Sequence, residues 1–167
     1  MKQIILILAV VLMLPYGLAA NENPIEIGAV NWGRDLDKAL KLSGETGRPV
    51  FLLFQEVPGC SGCQDFGRTV LSNPRVVEAI ENEFLPVLVY NNRGGEDRRL
   101  LERFHEPAWN YQVVRFLDSE GRDIIARKDR VWTVSHLASR MIETLQAVGR
   151  SVPDFLRALA EESPLGR

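Results

Sequence analysis

The sequence predicts an α/β domain, with a central mixed sheet of about four to five strands flanked by helices. Three observations predict it. Continuous apolar runs at residues 50–54 and 85–90 read as strands buried on both faces. Segments with apolar residues at helical spacing lie before, between and after them. Near the end, Asp118-Ser119-Glu120-Gly121 sits between two short strand-like runs, which predicts an antiparallel hairpin. The 167 residues are 46% hydrophobic and 25% charged, enough for one domain with its own core.

The order of elements follows from local signals. Residues 35–46 read as a helix, with Leu36, Ala39, Leu40 and Ser43 on one face; Gly47 and Pro49 stop it. Trp32, just ahead, reads as a packing residue. Val50-Phe51-Leu52-Leu53-Phe54 is a strand, broken by Val57-Pro58-Gly59. Residues 64–71 look helical. Asn73 and Pro74 have the order of an N-cap and a first helical residue, and Val76, Val77, Ile80 and Phe84 form the apolar face behind them. After strand 85–90 and a polar loop, residues 96–104 form a charged helix with Leu100, Leu101 and Phe104 inward. Strands at 113–117 and 122–126 make the hairpin. A long helix over 134–148 turns Leu137, Met141, Leu145 and Val148 to one side, and a last helix runs to about residue 161.

The ends read differently from the body. Lys2 precedes an unbroken apolar run of eleven residues, Ile4 to Leu14, followed by Pro15, Gly17 and Leu18-Ala19-Ala20. That is the layout of a secretory signal peptide over residues 1–20, and the run is short for a membrane span. Residues 21–26 read as a flexible entry, 27–162 as the domain and 163–167 as a flexible tail. The expected location is periplasmic or secreted, with no stable membrane insertion after cleavage. A net charge of −2, with basic residues interleaved among acids, excludes a broad nucleic-acid surface. The chain is expected to be a monomer.

The chemistry points to Cys60-Ser61-Gly62-Cys63. Two cysteines three apart, where a buried strand turns into a helix, are far more specific than the spacing alone. A helix N-terminus offers unpaired N–H groups and a positive dipole end, which favour a thiolate. Cys60 is then the attacking sulfur, and Cys63, one turn on, resolves the mixed disulfide. Ser61 and Gly62 leave room for a partner chain. Other readings stay open. As a structural staple, so short a loop contributes roughly 2 kcal/mol, against about 4–5 for a hundred-residue loop. A closed zinc site needs four ligands, and only His105 and His136 offer imidazoles. Two thiolates suit a cuprous ion. Glu56 is the nearest acid and a candidate for moving protons to Cys63.

The chain resembles the thioredoxin-like superfamily, in particular exported bacterial members. The matching phrases are Arg48-Pro49-Val50-Phe51-Leu52-Leu53-Phe54, the cysteine pair, Leu71-Ser72-Asn73-Pro74-Arg75-Val76 and Asn82-Glu83-Phe84-Leu85-Pro86-Val87. Val57-Pro58-Gly59-Cys60 is similar to a smaller group whose first cysteine is sometimes selenocysteine. The resemblance implies a thioredoxin-like fold and thiol–disulfide exchange with protein or small-molecule thiols and disulfides. It implies no bound cofactor and no resident metal. It places substrate-binding positions at Gly59 and Gln112, the latter standing where the family has a cis-proline, with Trp109 lining the cleft. A thioredoxin-like binding module with an idle pair, or cuprous-ion handling, are the alternatives.

Overall fold

A computed structural model describes residues 23–108 and 112–162. The signal-peptide reading, the tail and Trp109 lie outside the described residues. The elements are a 3-10 turn, Ile25–Ile27, then α1 (Leu36–Thr46), β1 (Val50–Gln55), α2 (Ser61–Thr69), α3 (Pro74–Glu83), β2 (Leu85–Tyr90), α4 (Glu96–Arg103), β3 (Val113–Leu117), α5 (Val134–Ala147) and α6 (Asp154–Glu161).

Among the described residues the sheet has three strands, not four to five, in the order β2-β1-β3. It is mixed: β1 runs parallel to β2, with Val50 opposite Leu85, and antiparallel to β3, with Val50 opposite Leu117. The missing strand is the expected one at 122–126. Asp118 and Ile124 N–H groups do bond back to Arg122 and Phe116 carbonyls, but pairing stops at a single bridge, Leu117 with Asp123. Arg127 donates to both carboxylate oxygens of buried Glu106, at 2.7 and 2.9 Å, and Ile125 turns into the core. On the other edge, Gly33 forms a bridge to Val87 and covers part of β2.

Period-two alternation splits β1 between two cores. Val50, Leu52 and Phe54 face α1 and α4, joining Leu36, Leu40, Leu100, Leu101 and Phe104. Phe51 and Leu53 face the opposite way, joining Phe66 of α2, Val76 and Ile80 of α3, Leu137 and Met141 of α5 and Leu156 of α6. Phe51, Phe84 and Phe116 pack edge to face or tilted, with ring centres 5.3 to 6.1 Å apart. Trp32 tilts against Phe51 and donates to the Ile27 carbonyl, as a packing residue does.

The ends of the helices match their sequence signals. Asn73 accepts from Arg75 and Val76 N–H groups, with Pro74 first in α3. Asp35 accepts from Lys38 N–H at the start of α1, and Gly47 ends that helix at φ 69°, a left-handed conformation suited to glycine. Some boundaries differ by one to three residues. Helix α2 begins at Ser61 rather than 64, which brings the cysteines onto its first turn. Val148 caps the end of α5 and is exposed rather than buried, because α5 has already ended at Ala147. Ile25–Ile27 forms a 3-10 turn with Glu26 buried.

Candidate functional site around the cysteine pair

Strand β1 ends at Gln55, and six residues later the chain re-enters helix at Ser61. The link is braced from several sides. Asn92 donates to the Pro58 carbonyl and accepts from Val57 N–H, both at 3.4 Å; Arg93 reaches the Val57 carbonyl at 3.5 Å. The Val57–Pro58 peptide is cis. Gly59 is required by close approach. A Cβ there would lie 2.5 Å from the Glu56 carbonyl oxygen and 2.7 Å from Cys63 Cβ.

Cys60 is the N-cap of α2, with extended backbone at φ −68°, ψ 172°. Its side chain is exposed, whereas Cys63 is fully buried. The sulfurs stand 3.5 Å apart, beyond the ~2.05 Å of a bond, so both are free thiols here. Their acidities are driven apart. The Cys63 N–H, bonded to the Cys60 sulfur, is the largest influence and holds the Cys60 thiol below its ordinary value. The Cys63 thiol and the Gly62 N–H add to this, while desolvation opposes it. Burial pushes the Cys63 thiol up to about 12, reinforced by its contact with Cys60. One sulfur is thus accessible and acidic, and the other is sheltered and protonated.

Other expected residues gather here. Gln112 is buried, with its Oε1 4.0 Å from Cys63 Sγ. Gly59 lies directly against Cys63. Glu56 is half-buried, and its carboxylate and the two sulfurs lie within 4.8 Å of one another. These three donors fall short of the four that close a zinc site. His105 and His136 are both exposed and join no ligand cluster with the pair.

Three residues at the site escaped the sequence reading. Gln55 is fully buried, and its Nε2 donates to the Glu26 carbonyl at 2.6 Å and the Cys63 carbonyl at 3.4 Å. Its signal was available: a polar residue closing the run Val-Phe-Leu-Leu-Phe. Glu26 accepts the Gly59 N–H at 2.9 Å. Trp132, 40% exposed, forms a wall of a groove of about 420 Å³ beside Cys60. Ser61, Gly62, Asp65, Phe66 and Gln112 line the same groove. Neither Glu26 nor Trp132 carries a local signal, because both arrive from distant segments.

No curated protein sequence matches the chain. Two solved structures share its architecture. One is a DsbH oxidoreductase, 18% identical, with a TM-score of 0.56, covering 75% of this chain and 89% of its own. Another is a thioredoxin from Thermus thermophilus, 22% identical, with a TM-score of 0.58, covering 72% and 90%. At such identities the likeness is one of fold. Residues 31–119, more than half of the chain, match the family described as thioredoxin-like. That match spans β1, the cysteine turn, α2, α3, β2 and β3, so the chain belongs to the thioredoxin-like family.

Proposed function

We propose that this chain carries out thiol–disulfide exchange outside the cytoplasm, with Cys60 as nucleophile and Cys63 as resolving thiol. The supporting observation is the asymmetry of the pair: an exposed, acidic Cys60 sulfur at the first turn of α2, 3.5 Å from a buried, protonated Cys63. The Cys60 thiolate attacks one sulfur of a substrate disulfide. A new S–S bond forms to Cys60, and the other substrate sulfur leaves as a thiolate and takes up a proton. Cys63 then gives up its proton and attacks Cys60 Sγ, releasing the second substrate thiol. The protein pair is oxidised to a disulfide and the substrate is reduced to two thiols. The reverse sequence oxidises a dithiol.

In this reading Glu56 receives the Cys63 proton in the second step, a role supported by its carboxylate lying within 4.8 Å of both sulfurs. Gly59 and Gln112 serve as substrate-binding positions in this reading, supported by their closeness to Cys63 and by Gln112 lining the groove beside Cys60. Placement outside the cytoplasm, in the periplasm or secreted, rests on the signal-peptide layout of residues 1–20. Among the described residues no helix is long and apolar enough to cross a membrane.

The test is reduction of a model disulfide by the reduced protein. The parent should exceed Cys60→Ser by at least about a hundredfold, since the variant lacks the attacking thiolate. Cys63→Ser should accumulate mixed disulfides on Cys60. Equal rates for parent and Cys60→Ser would leave a thioredoxin-like binding module.

A further inference from the structure

The segment Ile25-Glu26-Ile27 is packed against expectation: Ile25 is 45% exposed, while Glu26 is only 4% exposed. A carboxylate is rarely buried in preference to its apolar neighbour unless something local requires it. The turn that carries it is clamped. Gln55 donates to the Glu26 carbonyl, Trp32 to the Ile27 carbonyl, and Asn23 to the Gly28 and Val30 carbonyls. Gly67 on α2 has no side chain because the turn lies against it; a Cβ there would fall 1.9 Å from the Ile25 carbonyl oxygen. At Gly28, φ 60°, a Cβ would fall 2.4 Å from the Leu71 carbonyl oxygen. The turn is therefore fitted to α2 and to the end of β1, and it delivers one carboxylate to one place.

That place is Gly59 N–H, at 2.9 Å from Glu26 Oε1. Gly59 is the residue before the N-cap. A Cβ on Gly59 would meet both Cys63 Cβ, at 2.7 Å, and Glu26 Cγ, at 3.2 Å, so the Glu26 side chain and Cys63 pack on the same point. We infer that Glu26 is a positioning residue, whose carboxylate fixes the Gly59 peptide and thereby holds the Cys60 sulfur over the N–H groups of the first turn of α2. The bond fixes the Pro58–Gly59 peptide, one residue ahead of the N-cap, and so sets the direction from which the chain enters Cys60. This rests on the reading of Cys60 as nucleophile.

Glu56 is the charged group beside the Cys60 sulfur, and Asp65, paired with Arg68, lines the same groove as Cys60. Charge and reach at Glu26 make opposite demands, which allows a clean test. Glu26→Gln keeps length and an accepting oxygen but loses the charge. Glu26→Asp keeps the charge but is one methylene short of Gly59. Glu26→Ala loses both.

The experiment measures the pH midpoint of Cys60 alkylation and the rate of model-disulfide reduction in all three variants. Thermal unfolding is followed in parallel, and the Gln and Asp variants decide the matter should Ala not fold. Positioning predicts that Asp and Ala raise the alkylation midpoint and slow exchange by about tenfold, while Gln stays close to the parent. If Asp matches the parent and Gln does not, or if both Gln and Ala lower the midpoint, charge is what matters and positioning is overturned. Unchanged midpoints in all three also overturn it. Should the parent prove no faster than Cys60→Ser, the exchange function fails, while the alkylation midpoints still decide the role of Glu26.

Discussion

The two faces of β1 start alike and end differently. On the face toward α1 and α4, the row Val50, Leu52, Phe54 is apolar to its last member. On the face toward α2, the row Phe51, Leu53, Gln55 turns polar at its carboxyl end, where Gln55 links the Glu26 and Cys63 carbonyls. The Gln55 Nε2 finds its partners on the backbone of the cysteine turn and of the segment carrying Glu26, while its buried Oε1 accepts no hydrogen bond among the described residues. One face is simply a core. The other is a core that ends in a polar joint, and the two sulfurs are mounted on that joint.

The comparison can be broken by adjacent residues of equal size. Leu52 and Leu53 are both fully buried, on opposite faces. Alanine at either should cost about 2–5 kcal/mol in denaturant unfolding, through lost burial and the cavity left behind. Only Leu53→Ala, which shares its core with Phe66 of α2, should also slow disulfide exchange at temperatures where both variants are folded. Equal slowing by Leu52→Ala would show that the faces are not functionally distinct. The next largest effect is at the joint. Gln55→Leu should cost about 1–3 kcal/mol, because the buried carbonyls of Glu26 and Cys63 lose a donor. It should also shift the Cys60 alkylation midpoint, whereas a stability loss with an unmoved midpoint would make Gln55 a core residue only.

The joint also has a pH signature. The Cys63 thiol is pushed up from 9.0 to about 12 by burial, so the folded state keeps a proton there that the unfolded state gives up. Stability from this group is complete below pH 9 and is lost as pH rises through the folded value. The reduced protein should therefore lose stability relative to the oxidised one between pH 9 and 12, by up to about 1.4 kcal/mol per pH unit. Parallel curves for the two forms would show that Cys63 is not held protonated by the fold.

The legible parts of the site were those encoded by neighbouring residues. The strand run, the Gly59 break and the cysteine spacing lie within fourteen residues of one another, and together they place one sulfur at a helix start. Asn73-Pro74 and Gly47 marked helix ends for equally local reasons. The illegible parts depend on meetings between remote segments. Residues 122–126 read locally as a strand, yet their pairing stops after one bridge, and just beyond them Arg127 bonds to distant Glu106. Glu26 looks like one charge in an entry segment until the small residues at 59 and 67 are seen to admit it. Side-chain burial of that kind has no period to read.

The smallest expected effects separate the faces most gently. Asp35 caps α1, packed on the apolar face, and Asn73 caps α3, packed on the face that carries the sulfurs. Each accepts backbone N–H groups at 2.9 to 3.2 Å, so alanine at either should cost about 1 kcal/mol, read as a lower denaturation midpoint. Neither cap touches the cysteine turn, so neither should move Cys60 alkylation. If Asn73→Ala moves it and Asp35→Ala does not, the joint extends along the whole α2–α3 face and is not confined to the end of β1. If neither moves it, the control of Cys60 is local to Glu26, Gln55 and the 57–60 turn, and the rest of that face serves as support.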